Sequence, residues 1–201
     1  MLVITNRKLC KEDFFKHFEK IAQGKPSGII LREKDLSGEE FLSLATKCQE
    51  ICQTYKVPFG INQRAEIARK LNISWLHLSV SDFEKLSLES KQKFEKIGVS
   101  VHSVEEAVRM EQLGADYLIA GHIYLTDCKK GVPARGLSFL QEVCSSVSVP
   151  VFAIGGITVK RVPEVLAHGA AGICVMSEMM ECEQPQEQIE AFFKELMHKN
   201  E

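Results

Sequence analysis

Eight short apolar runs, each followed by a stretch of helical spacing, recur along the whole of this 201-residue chain. Parallel neighbours in one sheet cannot be joined by a tight turn; they need a crossover of about a dozen residues or more, usually a helix. The alternation therefore restricts the chain to an open doubly wound sheet or to a barrel closed by its own strands. The runs are Leu2–Thr5, Gly28–Leu31, Pro58–Ile61, Trp75–Leu78, Gly98–Val101, Tyr117–Ala120, Val149–Ile154 and Ala171–Val175. Most are nearly continuous in apolar residues, as strands buried on both faces should be.

The intervening segments read as helices. Phe14, Phe15, Phe18, Ile21 and Ala22 share a face until Gly24 and Pro26 stop the element. Ser37 with Glu40 forms a capping box ahead of Phe41, Leu44, Ala45, Cys48, Ile51, Cys52 and Tyr55, all on one stripe. A short helix over Ala65–Leu71 and a charged one over Phe83–Phe94 follow. Ser103 and Glu106 form a second capping box, with Val104, Ala107, Val108 and Leu113 on the buried side and Gly114 as a left-handed C-cap. Helices over Leu137–Ser146, after Thr158, and through Ile189, Phe192, Phe193, Leu196 and Met197 complete the series. Eight such units without a linker predict one α/β domain over residues 1–201, a single (β/α)8 TIM barrel, with the open sheet as the alternative.

Composition narrows the function classes. A net charge of −2 gives no footprint for nucleic acid, so a small anionic ligand would need a local basic site. Seven cysteines without metal-type CxxC spacing predict reduced thiols in a cytoplasmic protein. No run approaches the roughly 18 consecutive apolar residues of a membrane span, and Met1–Ile4 is too short for the apolar region of a signal peptide. Neither nucleic acid nor membrane is expected as a partner, and homo-oligomerisation is left open.

A barrel puts the loops after all eight strands on one rim, and the active site is expected there. That rim gathers Arg32 and Lys34, Asn62, His77 and Asp82, Ser100 and His102, His122 with Thr126 and Lys129, Gly156, and Ser177. The loop Gly121–Gly136, GHIYLTDCKKGVPARG, is the densest in chemistry. His122 can take and return a proton near neutrality without a metal, whereas Lys129, Lys130 and Arg135 supply positive charge. Local composition fits equally well a loop histidine that merely hydrogen-bonds its neighbours. Gly155 and Gly156 let backbone approach a ligand closely, and Thr158 can cap the next helix. With Met176 and Ser177, they stand where many such barrels hold a phosphate; a tight turn without a ligand is the plainer alternative. His77 fits a satisfied barrel histidine, while His17, His168 and His198 read as surface residues. Nothing marks Cys128 as an activated nucleophile, no cluster has metal-ligand spacing, and Asp82 alone is a weak magnesium site.

On these motifs the chain resembles, nearly end to end, the thiamin phosphate synthase superfamily, and within it the thiazole tautomerase (TenI-type) branch. The resemblance rests on LREK at Leu31–Lys34, Asn62 with Arg64, His77-Leu78 with Asp82, SVHSVEEA from Ser100, GADY from Gly114, the loop Gly121–Gly136, AIGGIT from Ala153 and VMS from Val175. Gly121-His122 and TDCKKG from Thr126 are similar to the tautomerase branch. Synthases usually have GP at the first and Thr-x-Thr-Lys at Thr126–Lys129. They also generally have glutamine where Ile30 stands, and an Asn-Asp pair where this chain has Asn62-Gln63. Losing an amide and a metal-binding carboxylate should weaken diphosphate chemistry even though Arg32, Lys34 and Asp82 remain.

The resemblance implies an isomerase without metal or cofactor that acts on a small phosphorylated thiazole carboxylate, converting its exocyclic-alkene tautomer to the aromatic one. It implies His122 as base and then acid, with Gly156, Met176 and Ser177 at the phosphate. Thr126, Asp127, Cys128 and Lys129 would face the ring and carboxylate, and Arg32, Lys34, Asn62 and Ser100 would complete the site. Two other readings stay open: a thiamin phosphate synthase with a degraded pyrimidine and metal half-site, and a non-catalytic regulator that binds a phosphorylated ligand.

Overall fold

The computed structural model describes residues 1–126 and 131–197. Its eight parallel strands are β1 Leu2–Ile4, β2 Gly28–Leu31, β3 Phe59–Asn62, β4 Trp75–Ser79, β5 Lys96–Val101, β6 Tyr117–Gly121, β7 Val151–Ile154 and β8 Gly172–Val175. Neighbours follow chain order all the way round, and β8 returns to β1 through Leu2↔Cys174 and Val3↔Val175, which closes the (β/α)8 barrel. The two expected strands containing proline begin one residue after it. Pro58 and Pro150 have no N–H for the ladder, but their carbonyls accept from Ile29 and Leu118, each at 2.9 Å.

The helices are α1 Phe14–Gln23, α2 Gly38–Tyr55, α3 Ala65–Lys70, α4 Val80–Lys85, α5 Leu88–Lys91, α6 Val104–Gln112, α7 Gly136–Ser146, α8 Val162–Ala167, α9 Ser177–Met180 and α10 Pro185–Met197. The capping box of α2 is formed in full: Glu40 N–H donates to Ser37 Oγ, and Ser37 N–H donates to the Glu40 carboxylate. That of α6 is not. Ser103 Oγ accepts from Glu106 N–H, but the Glu106 carboxylate takes the amide of His102 at 2.6 Å, one residue outside the box. The single helix expected over Phe83–Phe94 is two, because Ser79 and Ser87 each turn a hydroxyl onto a backbone amide three residues on and start a helix of their own. Thr158 makes no side-chain cap; a 3-10 turn over Val159–Arg161 separates it from α8. His17 is not a surface residue either. It is buried between α1 and α9, with Nε2 donating to the Met179 carbonyl at 2.8 Å.

Outward-facing strand residues such as Val3, Ile29, Leu31, Leu76, Val99, Leu118 and Ile173 pack beneath the apolar stripes of the helices. The lumen is filled differently. At its N-terminal end Trp75, Tyr117 and Phe152 lie edge to face, with centroids 6.3 Å apart for the first pair and 5.7 Å for the second. They fit because Gly28, Gly60, Gly98 and Gly172 face them. A Cβ on Gly60 would lie 2.7 Å from Trp75, one on Gly172 3.0 Å from Phe152, and one on Gly98 would overlap the Tyr117 ring. Alternating absent and very large side chains thus plug the lower lumen and leave the upper end open.

Gly98→Ala is therefore expected to destabilise the fold by about 1–3 kcal/mol, the usual cost of overpacking a core. Tyr117 cannot swing aside without losing two buried hydrogen bonds to its hydroxyl. Urea unfolding of the variant beside the parent checks this; an unchanged midpoint would show that the plug has room to spare.

Candidate functional site

Above the aromatic plug, at the C-terminal ends of the strands, lies a cavity of about 290 Å³. Its floor is apolar, made by Ile4, Ile30, Ile119, Ile154 and Cys174. Its walls hold the sequence-predicted Arg32, Lys34, Asn62, Ser100, His122, Thr126, Gly156, Met176 and Ser177 together. Asp127, Cys128 and Lys129 lie outside the described residues, as do Lys130 and His198. A larger outer groove shares Arg32, Thr126, Gly156, Met176, Ser177 and Glu178 with the cavity and adds Lys11, Arg161 and Glu181 among others.

Arg32 and Lys34 reach this wall because Glu33, between them, points the other way. It is buried at 3% exposure, where its carboxylate accepts from the Thr5 hydroxyl at 2.8 Å and from the Arg7 amide at 3.0 and 3.1 Å. Thr5 Oγ1 in turn accepts from the Arg32 amide at 2.9 Å. Arg7 continues outward to Asp35 with two bonds of 2.6 and 2.8 Å. That guanidinium holds the Asp35 carboxyl well below the usual carboxylate range. The clamp ties the β1 loop to the β2 loop and so fixes two cations at the mouth. Period-two alternation carried past the end of β2 was the available signal for it.

His77 joins the lumen plug to the cavity. The Trp75 indole can only donate, and it does so to the Tyr117 hydroxyl at 2.9 Å. If that buried hydroxyl is to use its own proton, it must donate to His77 Nδ1 at 3.0 Å. The other ring nitrogen then carries hydrogen and donates to Ser100 Oγ at 2.8 Å, leaving the Ser100 proton for the cavity. Burial, with the nearby charge of Arg32, lowers the imidazole pKa to about 3, so the ring works as a neutral relay. Cys174 lines the same floor, but burial pushes its thiol far up and makes it a poor nucleophile.

On the far wall, the loop after β6 folds back on the glycine pair after β7. Ile123 N–H donates to Ile154 O at 2.9 Å and Tyr124 N–H to Gly155 O at 3.0 Å. A Cβ on Gly155, at φ +103°, would collide with His122. The neck of the loop is closed by Arg135 N–H to His122 O and Gly136 N–H to Ile123 O. His122 is itself 2% exposed. Its Nε2 faces the Val132 carbonyl at 3.2 Å and must donate there, so in the neutral ring Nδ1 is the acceptor. Nδ1 is buried and, among the described residues, has no hydrogen-bond partner.

Asp82 is spoken for. Its Oδ2 accepts from Ser79 Oγ at 2.6 Å and from the Gln63 amide at 2.5 Å, and the serine bond first, then the amide, keeps the carboxyl below its ordinary pKa. Asn62 donates through Nδ2 to the His77 carbonyl at 3.0 Å. Among the described residues no group of three or more His, Cys, Asp or Glu side chains is arranged to hold a metal ion.

The depressed pKa of His77 has a consequence for stability. A ring that stays neutral when folded but titrates at 6.5 when unfolded supports the fold fully above pH 6.5 and progressively less as pH falls toward 3. The loss is about 1.4 kcal/mol per pH unit across that window. His77→Gln should lack this component, so the stability difference between parent and variant, from urea unfolding at several pH values, should shrink on acidification. Parallel curves would mean that the histidine titrates alike in both states.

The family model described as thiamine monophosphate synthase (TMP-TENI) matches residues 1–179. The chain is 36% identical over 202 residues to the thiamine-phosphate synthase of Clostridium acetobutylicum, covering 100% of this chain and 95% of that protein. It is 34% identical over 201 residues to the thiamine-phosphate synthase of Methanobrevibacter smithii, covering 100% and 96%. Among solved structures, the thiamine phosphate pyrophosphorylase of Pyrococcus furiosus superposes with a TM-score of 0.85 at 28% identity, covering 100% of this chain and 96% of that one. The rim cavity thus belongs to a barrel whose relatives carry thiamin-synthesis names along their whole length, and the chain is a member of the thiamine monophosphate synthase (TMP-TENI) family.

Proposed function

We propose that this chain is a thiazole tautomerase, converting the exocyclic-alkene tautomer of a carboxythiazole phosphate to the aromatic tautomer by proton transfer through His122. One observation carries the reading: an imidazole on the cavity wall with one nitrogen anchored on a carbonyl and the other buried and unpartnered. That unpartnered Nδ1, closed off from the cavity in this structure, would turn toward it to remove the proton from the ring carbon bearing the carboxylate, and the imidazolium would return it to the exocyclic carbon. No atom is gained or lost, and aromaticity supplies the direction. The apolar floor suits the ring, and Gly156 with Met176 and Ser177 suits the phosphate. Thr126 and the cations Arg32 and Lys34 suit the carboxylate, with Asn62 and Ser100 beside them and Asp127, Cys128 and Lys129 in the same loop. The single-domain barrel, with its site at the C-terminal rim, and a cytoplasmic location are part of the proposal.

A second reading, the thiamin phosphate synthase reaction, is favoured by the names of the relatives at 34 and 36% identity. Magnesium, which that reaction would require by the family resemblance, fits these residues poorly. A divalent ion needs several oxygen ligands, and Asp82 meets an amide donor from Gln63 where a second carboxylate would be needed. The lumen residue at the glutamine position is Ile30, which can read no pyrimidine.

The deciding experiment incubates the protein with the exocyclic tautomer and follows the aromatic product by absorbance. A parallel reaction supplies the aromatic thiazole phosphate with an aminopyrimidine diphosphate and magnesium. The expected outcome is tautomer conversion unaffected by EDTA, with no coupled product. Coupling that needs magnesium, without tautomer conversion, would establish the synthase reading instead; inactivity in both with ligand binding intact would favour the regulator.

His122→Asn should lower tautomer turnover by about 10² to 10⁴ while leaving ligand affinity within a few-fold, since asparagine keeps polarity but cannot cycle a proton. Steady-state kinetics with the uncatalysed rate subtracted test this. Parent-like turnover would remove His122 from the proton path.

A further inference from the structure

We infer that Arg161, held on the face of Tyr124, is a positioning residue that fixes the backbone at Gly156 for phosphate binding and ties it to the loop that carries His122. The inference rests on the reading of the cavity as a thiazole phosphate site. Arg161 borders the outer groove rather than the cavity, and from there its Nη1 donates to the Gly156 carbonyl at 2.6 Å. In a planar trans peptide the carbonyl and the following N–H point opposite ways. Holding the Gly156 oxygen toward Arg161 therefore turns the Ile157 amide away from it, and Ile157 lines the cavity.

The guanidinium has its own support. It sits 4.3 Å over the Tyr124 ring, and the Tyr124 hydroxyl donates to Glu164 on α8 at 2.8 Å. Burial first, then that hydrogen bond, pushes the phenol up to about 12, so it stays a donor across the physiological range. Tyr124 is two residues beyond His122, and its backbone already pairs with Gly155. A Cβ on Gly156, at φ +62°, would lie 2.6 Å from Leu125 O and 2.9 Å from Tyr124 Cβ. The histidine loop, the glycine pair and α8 are thus linked through one arginine. Two consecutive glycines are the most conformationally free dipeptide in the chain, and freedom at a binding site is entropy lost on binding. Arg161 removes part of that freedom before the ligand arrives.

Titration calorimetry with the aromatic thiazole phosphate and with its dephosphorylated alcohol tests the assignment, on the parent, Arg161→Gln, Arg161→Lys and Tyr124→Ala. Arg161→Gln should weaken the phosphorylated ligand by about tenfold, in keeping with loss of a hydrogen bond from a charged group. The alcohol should bind as before, and KM for the phosphorylated tautomer should rise with kcat within about twofold. Lysine should restore part of the loss, because it can reach the carbonyl but cannot stack as a plane. Tyr124→Ala should weaken the same ligand, and the double variant should lose less than the two single losses combined. Equal losses for both ligands would show a merely structural role, and additive or absent losses would also overturn the inference. A parent protein that does not prefer the phosphorylated ligand would overturn the site reading itself, whereas preference retained in Arg161→Gln overturns only the role of Arg161.

Discussion

Tyr117 can stand inside this barrel only because residue 98 has no side chain. That steric bargain between neighbouring strands β5 and β6 governs the upper half of the molecule. With the ring seated, its hydroxyl lands between the Trp75 indole and the His77 imidazole and bonds to both. The plug is thus a polar anchor as well as filler. It pairs with His77, His77 pairs with Ser100, and Ser100 lines the cavity. A histidine at the base of a candidate site invites an acid-base role. Here burial, with the nearby charge of Arg32, keeps it neutral, and its two hydrogen bonds make it a strut.

The opposite wall is built on a different principle. Ile123 and Ile157 anchor the β6 and β7 loops in the core, while backbone pairing and absent Cβ atoms let the chain after Gly121 lie directly on Gly155 and Gly156. His122 is consequently positioned by main chain on one side and by the Val132 carbonyl on the other. A buried nitrogen left without a partner normally costs stability, by about 1–3 kcal/mol. His122 carries such an unpartnered nitrogen, whereas both ring nitrogens of His77 are hydrogen-bonded.

Much of this was legible in the sequence, for identifiable reasons. Continuous apolar runs fix strands buried on both faces, and their number and the short crossovers point to a closed barrel. The rim residues followed from strand order, since each site side chain lies at or just past a strand end. What escaped depended on distant partners. His17 lies on a helix with the spacing of a surface residue, and only the return of α9 buries it. The serine hydroxyls at Ser79 and Ser87 split a helix that the periodicity of residues 83–94 would have continued. Glu106 could satisfy either Ser103 or His102, and local pattern cannot choose between adjacent amides. Glu33 looked like one more charge after β2 until Thr5 and Arg7, at the end of another strand, gave it a buried function. Arg161 had no motif at all; its meaning comes from a carbonyl five residues back and a ring on a neighbouring loop.

By the family resemblance, Ile30 and Gln63 are where this chain departs from the usual synthase residues. A carboxylate at position 63 beside Asp82 would repel it, and a cation would be needed between the two. Gln63 donates an amide hydrogen to Asp82 Oδ2 instead, and Ser79 donates its hydroxyl to the same oxygen. Ile30 meanwhile extends the apolar floor beneath the cations Arg32 and Lys34. On the proposed reading, Ile30 and Gln63 make the pocket less suited to a charged diphosphate bridged by metal, while Arg32 and Lys34 keep cations on its wall. Ile30 sits on β2, Gln63 follows β3 and His122 follows β6, so the closed barrel holds these parts of the cavity wall on separate strands of one sheet.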